Sequence, residues 1–150
     1  MGAFLGACLA WLAYRDQYAQ ECDPGLKLAT FSTGPEIRNT TSNLITEVIG
    51  TFVLVFVILG AGHYAPKGAV GMAWLGALGV SLLVVGIGAS LGGPTGYAIN
   101  PARDVGPRIA HAVLPIPGKG DSDWRYSWIP IVGPVIGGVL AGLASHVLFF

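Results

Sequence analysis

The 35 consecutive residues from Gly68 to Ala102 contain no Lys, Arg, Asp or Glu. Tyr126 to Phe150 adds another 25, in which Tyr126 and His146 are the only titratable side chains. A third window, Val48 to Gly62, is uncharged over 15 residues and reaches 19 from Leu44 if Glu47 is allowed inside. An apolar helix needs about 20 residues to cross the hydrocarbon of a bilayer. The three windows therefore predict spanning helices near 42–63, 70–91 and 127–149. The other side chains do not offset this: 8 basic and 8 acidic residues in 150 cannot clothe a soluble domain of this size, where roughly 25% of residues are charged. The same numbers exclude a disordered segment and give no basic excess for binding nucleic acid. Cys8 and Cys22 make neither a disulfide scaffold nor a closed zinc site, and no cofactor is implied. The chain reads as a multi-pass protein of a cell membrane, with the lipid bilayer as its solvent.

Met1 to Tyr14 is apolar for only 14 residues before Arg15 and Asp16. That length matches a signal-peptide core, but no basic segment precedes it and no small-residue cleavage pattern stands out. Gly2, Gly6 and Trp11 fit better the late part of a spanning helix that has lost its first turn, so 1–17 is read as a truncated helix behind an artificial or misassigned start. The connectors are a polar stretch from Gln17 to Thr41, a short link from His63 to Val70 containing Pro66-Lys67-Gly68, and Val113 to Arg125 with Pro115 and Pro117-Gly118. Trp11, Tyr14 and Tyr18 at one helix end, and Trp124, Tyr126 and Trp128 at another, suit an interfacial aromatic belt. Glycine is 23 of 150 residues, about twice its usual share. The pairs Gly2/Gly6, Gly88/Gly92, Gly133/Gly137 and Gly138/Gly142 have the spacing that lets helix backbones approach closely in lipid.

The long uncharged stretch exceeds one span and falls short of two with a loop. Its second part reads Gly92-Gly93-Pro94-Thr95-Gly96-Tyr97-Ala98-Ile99-Asn100-Pro101-Ala102-Arg103-Asp104. Glycines and Pro94 predict extended backbone from about Gly92 to Ile99. Asn100 is then a good N-cap and Pro101 a favoured first helical residue. The helix should run to about Val113, where Pro115 and Pro117 stop it, and covers about half a membrane crossing. Segment 92–113 is thus a re-entrant loop and half-helix. Irregular backbone at membrane depth survives only when buried in protein or lining a wet cavity. The half-helix offers free N–H groups and the positive end of its dipole, and Arg103 adds a full charge with up to five donors. Carbonyls of Gly96, Tyr97 and Ala98 form a ladder of acceptors. Such an arrangement suits water or a neutral hydroxylated solute in single file and opposes cations and protons. Glu47 is the one carboxylate inside a span. It can hold the N–H groups of the extended segment, relay protons, or lie in the headgroup zone.

Asn100-Pro101-Ala102-Arg103-Asp104 after Gly96-Tyr97-Ala98-Ile99 resembles the second signature loop of the major intrinsic proteins, the aquaporins and glycerol facilitators. The likeness extends over nearly the whole chain: Thr30-Phe31-Ser32-Thr33 resembles the extracellular loop before the fourth helix, and Ile129-Pro130-Ile131-Val132-Gly133-Pro134 the start of the sixth. The resemblance implies an all-α membrane protein, an aquaporin-like bundle holding the second inverted repeat: a partial helix, three spanning helices and one re-entrant half-helix. It implies that Asn100 donates its amide to the solute and that Arg103, buried at membrane depth, lines the selectivity filter with Tyr97. Gly88 falls where water-selective members carry histidine and widens the filter, and Glu47 matches the acid that bonds the loop backbone. Asp104, Arg108, Pro130 and Ile131 resemble the glycerol-conducting branch. The implied activity is passive, bidirectional passage of glycerol, other small uncharged solutes and water, in a homotetramer with one pore per protomer and no enzymatic step.

The family builds its pore from two inverted repeats, whereas this chain has one Asn-Pro-Ala, at 100–102. It is expected to be a fragment lacking the first half of the pore. The family pattern puts connectors 17–41 and 113–125 outside and 63–70 in the cytoplasm, while the positive-inside rule reads the other way. Two rival readings are a nonconducting membrane fragment and an intramembrane serine hydrolase using Ser90 and His146. The latter lacks anything to orient the histidine or to form an oxyanion hole. His63, His111 and the Asn39-Thr40-Thr41 sequon carry no assigned role.

Overall fold

The computed structural model describes residues 1–64 and 72–149. The helices among them are α1 (Gly2–Ala13), α2 (Arg15–Gln20), α3 (Pro24–Ala29), α4 (Thr40–Tyr64), α5 (Met72–Thr95), α6 (Pro101–Val113) and α7 (Ile129–Phe149), with no strand. The link at Pro66-Lys67-Gly68 and the first residues of the 70–91 window lie outside the described residues. Three helices, Thr40–His63, Gly76–Thr95 and Ile129–Phe149, are long and apolar enough to cross a membrane.

Burial runs inside out relative to a soluble protein. On α4, Asn43, Glu47 and Thr51 are buried at a spacing of four residues, while Ile45, Ile49, Val53 and Val57 are exposed. On α5, Leu78, Leu82 and Val85 are exposed, as are Val135, Val139, Leu143 and Val147 on α7. Apolar side chains need no shelter from lipid tails, whereas polar ones must find partners inside. A small conventional core of Trp11, Phe31, Ala110 and Ile116 joins α1 and α6 to the loops at one end.

Close approach of helices rests on particular glycines. At Gly137 a Cβ would stand 2.4 Å from the carbonyl oxygen of Val48, and at Gly133 it would stand 2.6 Å from Glu47 Cβ, so α4 and α7 touch backbone to backbone. Gly106 does the same for α6 and α1, where a Cβ would lie 3.0 Å from Ala3 Cβ. The other expected pairs differ. Gly2, Gly6, Gly138 and Gly142 face open space, and Gly88 and Gly92 receive the ring of Tyr97 instead of a helix. The four-residue spacing marks a small-residue face without saying what fills it.

Several boundaries depart from expectation. Helix α5 continues through Pro94 to Thr95, so only Gly96–Ile99 is non-helical, and Gly96, Tyr97 and Ile99 are left-handed there rather than extended as expected. Proline lacks one N–H but its neighbours keep theirs: the Gly96 N–H still closes on Gly92 O at 2.8 Å, and the Pro94 carbonyl accepts from Glu36 N at 3.2 Å. The expected single N-terminal helix 1–17 breaks at Tyr14, whose φ of −112° and ψ of 21° leave the helical region. The polar connector contains α3, capped by Asp23, whose side chain accepts from Gly25 N at 2.7 Å, with Pro24 at its first position. In the aromatic groups Tyr14, Trp124 and Trp128 are exposed, but Trp11 and Tyr126 turn inward.

Candidate functional site

The segment between α5 and α6 sits where three helices meet. Gly96, Tyr97 and Ile99 have φ of +75°, +42° and +42°. Glycine takes this left-handed region freely, but a tyrosine and a β-branched isoleucine occupy it under strain of about 1–3 kcal/mol each. Such backbone persists only when its surroundings over-determine it. Glu47, buried on α4, supplies that constraint. Its Oε1 accepts from Thr95 Oγ1 at 2.7 Å and from Ala98 N at 3.0 Å, and its Oε2 accepts from Ile99 N at 2.8 Å. Gly50, one turn on, leaves room for Ile99, whose Cγ2 lies 2.9 Å from where a Cβ would stand.

The carbonyls of Gly96, Tyr97 and Ala98 have no donor among the described residues. Asn100 follows with extended backbone and caps α6, its Oδ1 accepting from Ala102 N at 2.9 Å. Its amide Nδ2 has no partner among the described residues. Pro101 takes the first helical position. Ala102 and Arg103 lie in the first turn and are exposed. Arg103 was expected to be buried. Among the described residues its guanidinium has no partner, and it lies in the first turn at the α6 N-terminus.

Tyr97 lies against α5. A Cβ on Gly88 would stand 3.0–3.3 Å from three ring carbons of Tyr97, and one on Gly92 would stand 3.1 Å from a fourth. The absent side chain at Gly88 thus seats the ring, so the space that glycine opens is filled by Tyr97. Asp104 and Arg108, one turn apart on α6, are fully buried and face away from Arg103. Arg108 Nε donates to Asp104 Oδ1 at 2.8 Å and its Nη2 to Oδ2 at 2.9 Å. Thr33 completes the cluster through N–H and hydroxyl bonds to Asp104 Oδ2 at 2.8 and 2.7 Å. Arg108 also donates to the carbonyls of Thr33, Ser122 and Asp123. Pro130 is buried and Ile131 exposed near the start of α7.

A profile described as Major intrinsic protein matches residues 1–145. The chain belongs to the major intrinsic protein family. It is 58% identical over 142 residues to the glycerol uptake facilitator protein of Streptococcus pneumoniae, covering 95% of this chain and 58% of that relative. It is 57% identical over 149 residues to a probable glycerol uptake facilitator protein of Thermotoga maritima, covering 99% and 62%. With the glycerol uptake facilitator protein of Bacillus subtilis the identity is 53% over 150 residues, covering 99% and 53%. The chain therefore spans little more than half the length of the curated relatives it matches.

Within this major intrinsic protein the loop network reaches further than its signature residues. Lys119 closes the C-terminus of α6 by donating to His111 O, Ala112 O and Leu114 O at 2.6–2.8 Å, a cation placed where the helix dipole favours it. His111 is buried and its Nδ1 lies 2.9 Å from Ser122 Oγ. Buried Lys27 donates to Pro117 O. At the surface Arg38 pairs with Asp123, and that hydrogen bond raises the arginine pKa still further above its ordinary value. Sequence reasoning missed Thr33, Thr95, Lys27, Lys119 and Ser122. Only Lys119 carried a signal, as a basic residue a few positions past a helix end. Ser90 and His146 are not brought together: the Ser90 hydroxyl donates to Gly86 O at 2.8 Å on its own helix, and His146 is exposed on α7.

Proposed function

We propose that this chain forms part of a passive, bidirectional channel for glycerol, other small uncharged solutes and water. The observation that carries the reading is the row of unpaired carbonyls at Gly96, Tyr97 and Ala98. It leads to a helix N-terminus where Asn100 and Arg103 hold uncommitted donors. A polyol carries hydroxyls that both donate and accept along one edge and carbons along the other. The carbonyls would accept from those hydroxyls, while the Asn100 amide and the Arg103 guanidinium would donate to them. The ring of Tyr97 would offer an apolar face to the carbons. Positive charge at Arg103 and at the α6 terminus would oppose cations. Pro101 and Ala102 would fix the turn at which the helix meets the pore, Gly88 would set the position of Tyr97, and Glu47 would hold the loop in register. Asp104, Arg108, Pro130 and Ile131 would shape the glycerol-type site from behind it.

The relatives are named as glycerol uptake facilitators, which supports glycerol as the solute. A homotetramer in the cell membrane, each protomer with its own pore, is the assembly we propose, with connectors 17–41 and 113–125 outside. No covalent step, metal or nucleotide enters. The test is stopped-flow light scattering on proteoliposomes holding either this chain or the protein that carries it. Glycerol and water permeability above that of protein-free vesicles is expected in the latter. Permeability equal to empty vesicles in both would sink the channel reading and leave the nonconducting one.

A further inference from the structure

We propose that Thr33, in the loop between α3 and α4, is a positioning residue for the filter segment Gly96–Tyr97. This rests on the channel reading above for its functional meaning, but the geometry stands on its own. Thr33 is 5% exposed and commits all of its polar groups to α6: N–H and hydroxyl to Asp104 Oδ2, carbonyl to Arg108 Nη2. The buried pair Asp104–Arg108 therefore serves as an anvil for a residue of another segment, and neither charge needs to meet solute. So anchored, Thr33 turns its hydrocarbon towards Gly96. A Cβ on Gly96 would stand 3.3 Å from Thr33 Cβ and 3.4 Å from its Cγ2. On the other side Tyr97 rests on Gly88 and Gly92. Glu36 N, three residues on, bonds Pro94 O and ties the same loop to the end of α5. The left-handed pair Gly96–Tyr97 is thus confined between a threonine wall and a glycine seat, while Glu47 holds the residues on either side of it, Thr95 by its hydroxyl and Ala98 and Ile99 by their amides. The position of the Tyr97 ring, and with it the width available to solute, depends on the bulk of Thr33.

Two substitutions separate the wall from the anchor. Thr33→Ser keeps every hydrogen bond and deletes Cγ2; Thr33→Val keeps Cγ2 and deletes the hydroxyl. Hydrogen exchange of the detergent-solubilised protein reads the segment whether or not it conducts. The serine protein is expected to exchange several-fold faster at the amides of 96–98, with the interior amides of α4 and α7 unchanged. The valine protein is expected to melt at lower temperature while 96–98 keep their exchange relative to the helices. In proteoliposomes, the serine protein should gain permeability to a four-carbon polyol relative to glycerol, and the valine protein should keep the parent ratio. Parent-like exchange at 96–98 in the serine protein, or a rise spread equally over α4 and α7, overturns the positioning role. The local exchange pattern in the variants, beside a parent that conducts no glycerol either as this chain or in the protein that carries it, upholds that role and removes the channel reading instead.

Discussion

Glu47 holds Ile99 by a hydrogen bond of 2.8 Å that the Ile99 backbone N–H donates to its Oε2, across 52 residues of sequence. The isoleucine is left-handed at φ +42°, a conformation its branched side chain resists. The same carboxylate takes Ala98 N and the Thr95 hydroxyl on its other oxygen. In Glu47→Gln one oxygen becomes an NH2 group facing a donor, so a buried N–H loses its acceptor at a cost of about 1–3 kcal/mol. The glutamine protein is expected to melt lower in detergent and to exchange Ala98 and Ile99 amides faster than the parent. Unchanged exchange at these two amides would show that shape rather than charge holds the segment.

Gly88 and Tyr97 form a second coupled pair. In Gly88→Ala the methyl group meets three ring carbons at 3.0–3.3 Å, and the ring must give way by a few tenths of an ångström. Overpacking of this kind costs about 1–3 kcal/mol. Because the clash needs both residues, Tyr97→Ala should relieve it. A double-mutant cycle on thermal stability is expected to show that Gly88→Ala is harmful in the parent and nearly neutral beside Tyr97→Ala. An equal penalty in both backgrounds would place the cost in α5 itself.

Much of this arrangement was legible in the sequence, and the illegible part has physical causes. Charge-free windows located the three long apolar helices because the length of a bilayer crossing is a hard constraint. Asn100-Pro101 marked the start of α6 because an N-cap and a first-turn proline are local chemistry. The end of α5 departs from expectation because a proline in the last turn removes a single helical hydrogen bond, and the ladder still closes from Gly96 N to Gly92 O. Glycine spacing pointed to close contact without distinguishing helix backbone at Gly137 from an aromatic ring at Gly88. The exposure of Arg103 depends on what other elements cover α6, which no local pattern encodes. The resemblance singles out the loop of Thr33 but not its contacts, for the same reason: its partners lie 71 and 75 residues away.

The Asp104–Arg108 pair is a case in which removing one charge is worse than its bare interaction suggests. Arg108→Met leaves Asp104 with the two Thr33 bonds and no counter-charge in a fully buried position. Breaking a buried pair from one side costs about 3–5 kcal/mol. It also frees the carbonyls of Thr33, Ser122 and Asp123, which Arg108 tethers. The variant is expected to lose folded yield in detergent and to become protease-sensitive in the 30–39 and 114–123 loops. Replacing both residues, Asp104→Asn with Arg108→Met, should recover part of the loss. If the double variant is as unstable as the sum of the singles, the charges act independently and the ion pair is not what joins the loops.

Two glycines on α7 separate helix contact from helix propensity. Gly137 faces α4 so closely that an alanine methyl would stand 2.4 Å from Val48 O and 3.0 Å from Phe52 N, both backbone atoms that cannot swing aside. Gly142, five residues on, has nothing within 4 Å. Gly137→Ala must therefore push α4 and α7 apart, at a cost at or above the roughly 1–3 kcal/mol of ordinary overpacking. Because α4 carries Glu47, the separation should also loosen Ala98 and Ile99. Gly142→Ala meets no neighbour and gains the helix preference of alanine, about 0.5–1 kcal/mol. Thermal unfolding in detergent is expected to place Gly137→Ala well below the parent and Gly142→Ala at or above it. Equal melting temperatures for the two variants would mean that α4 and α7 do not meet backbone to backbone.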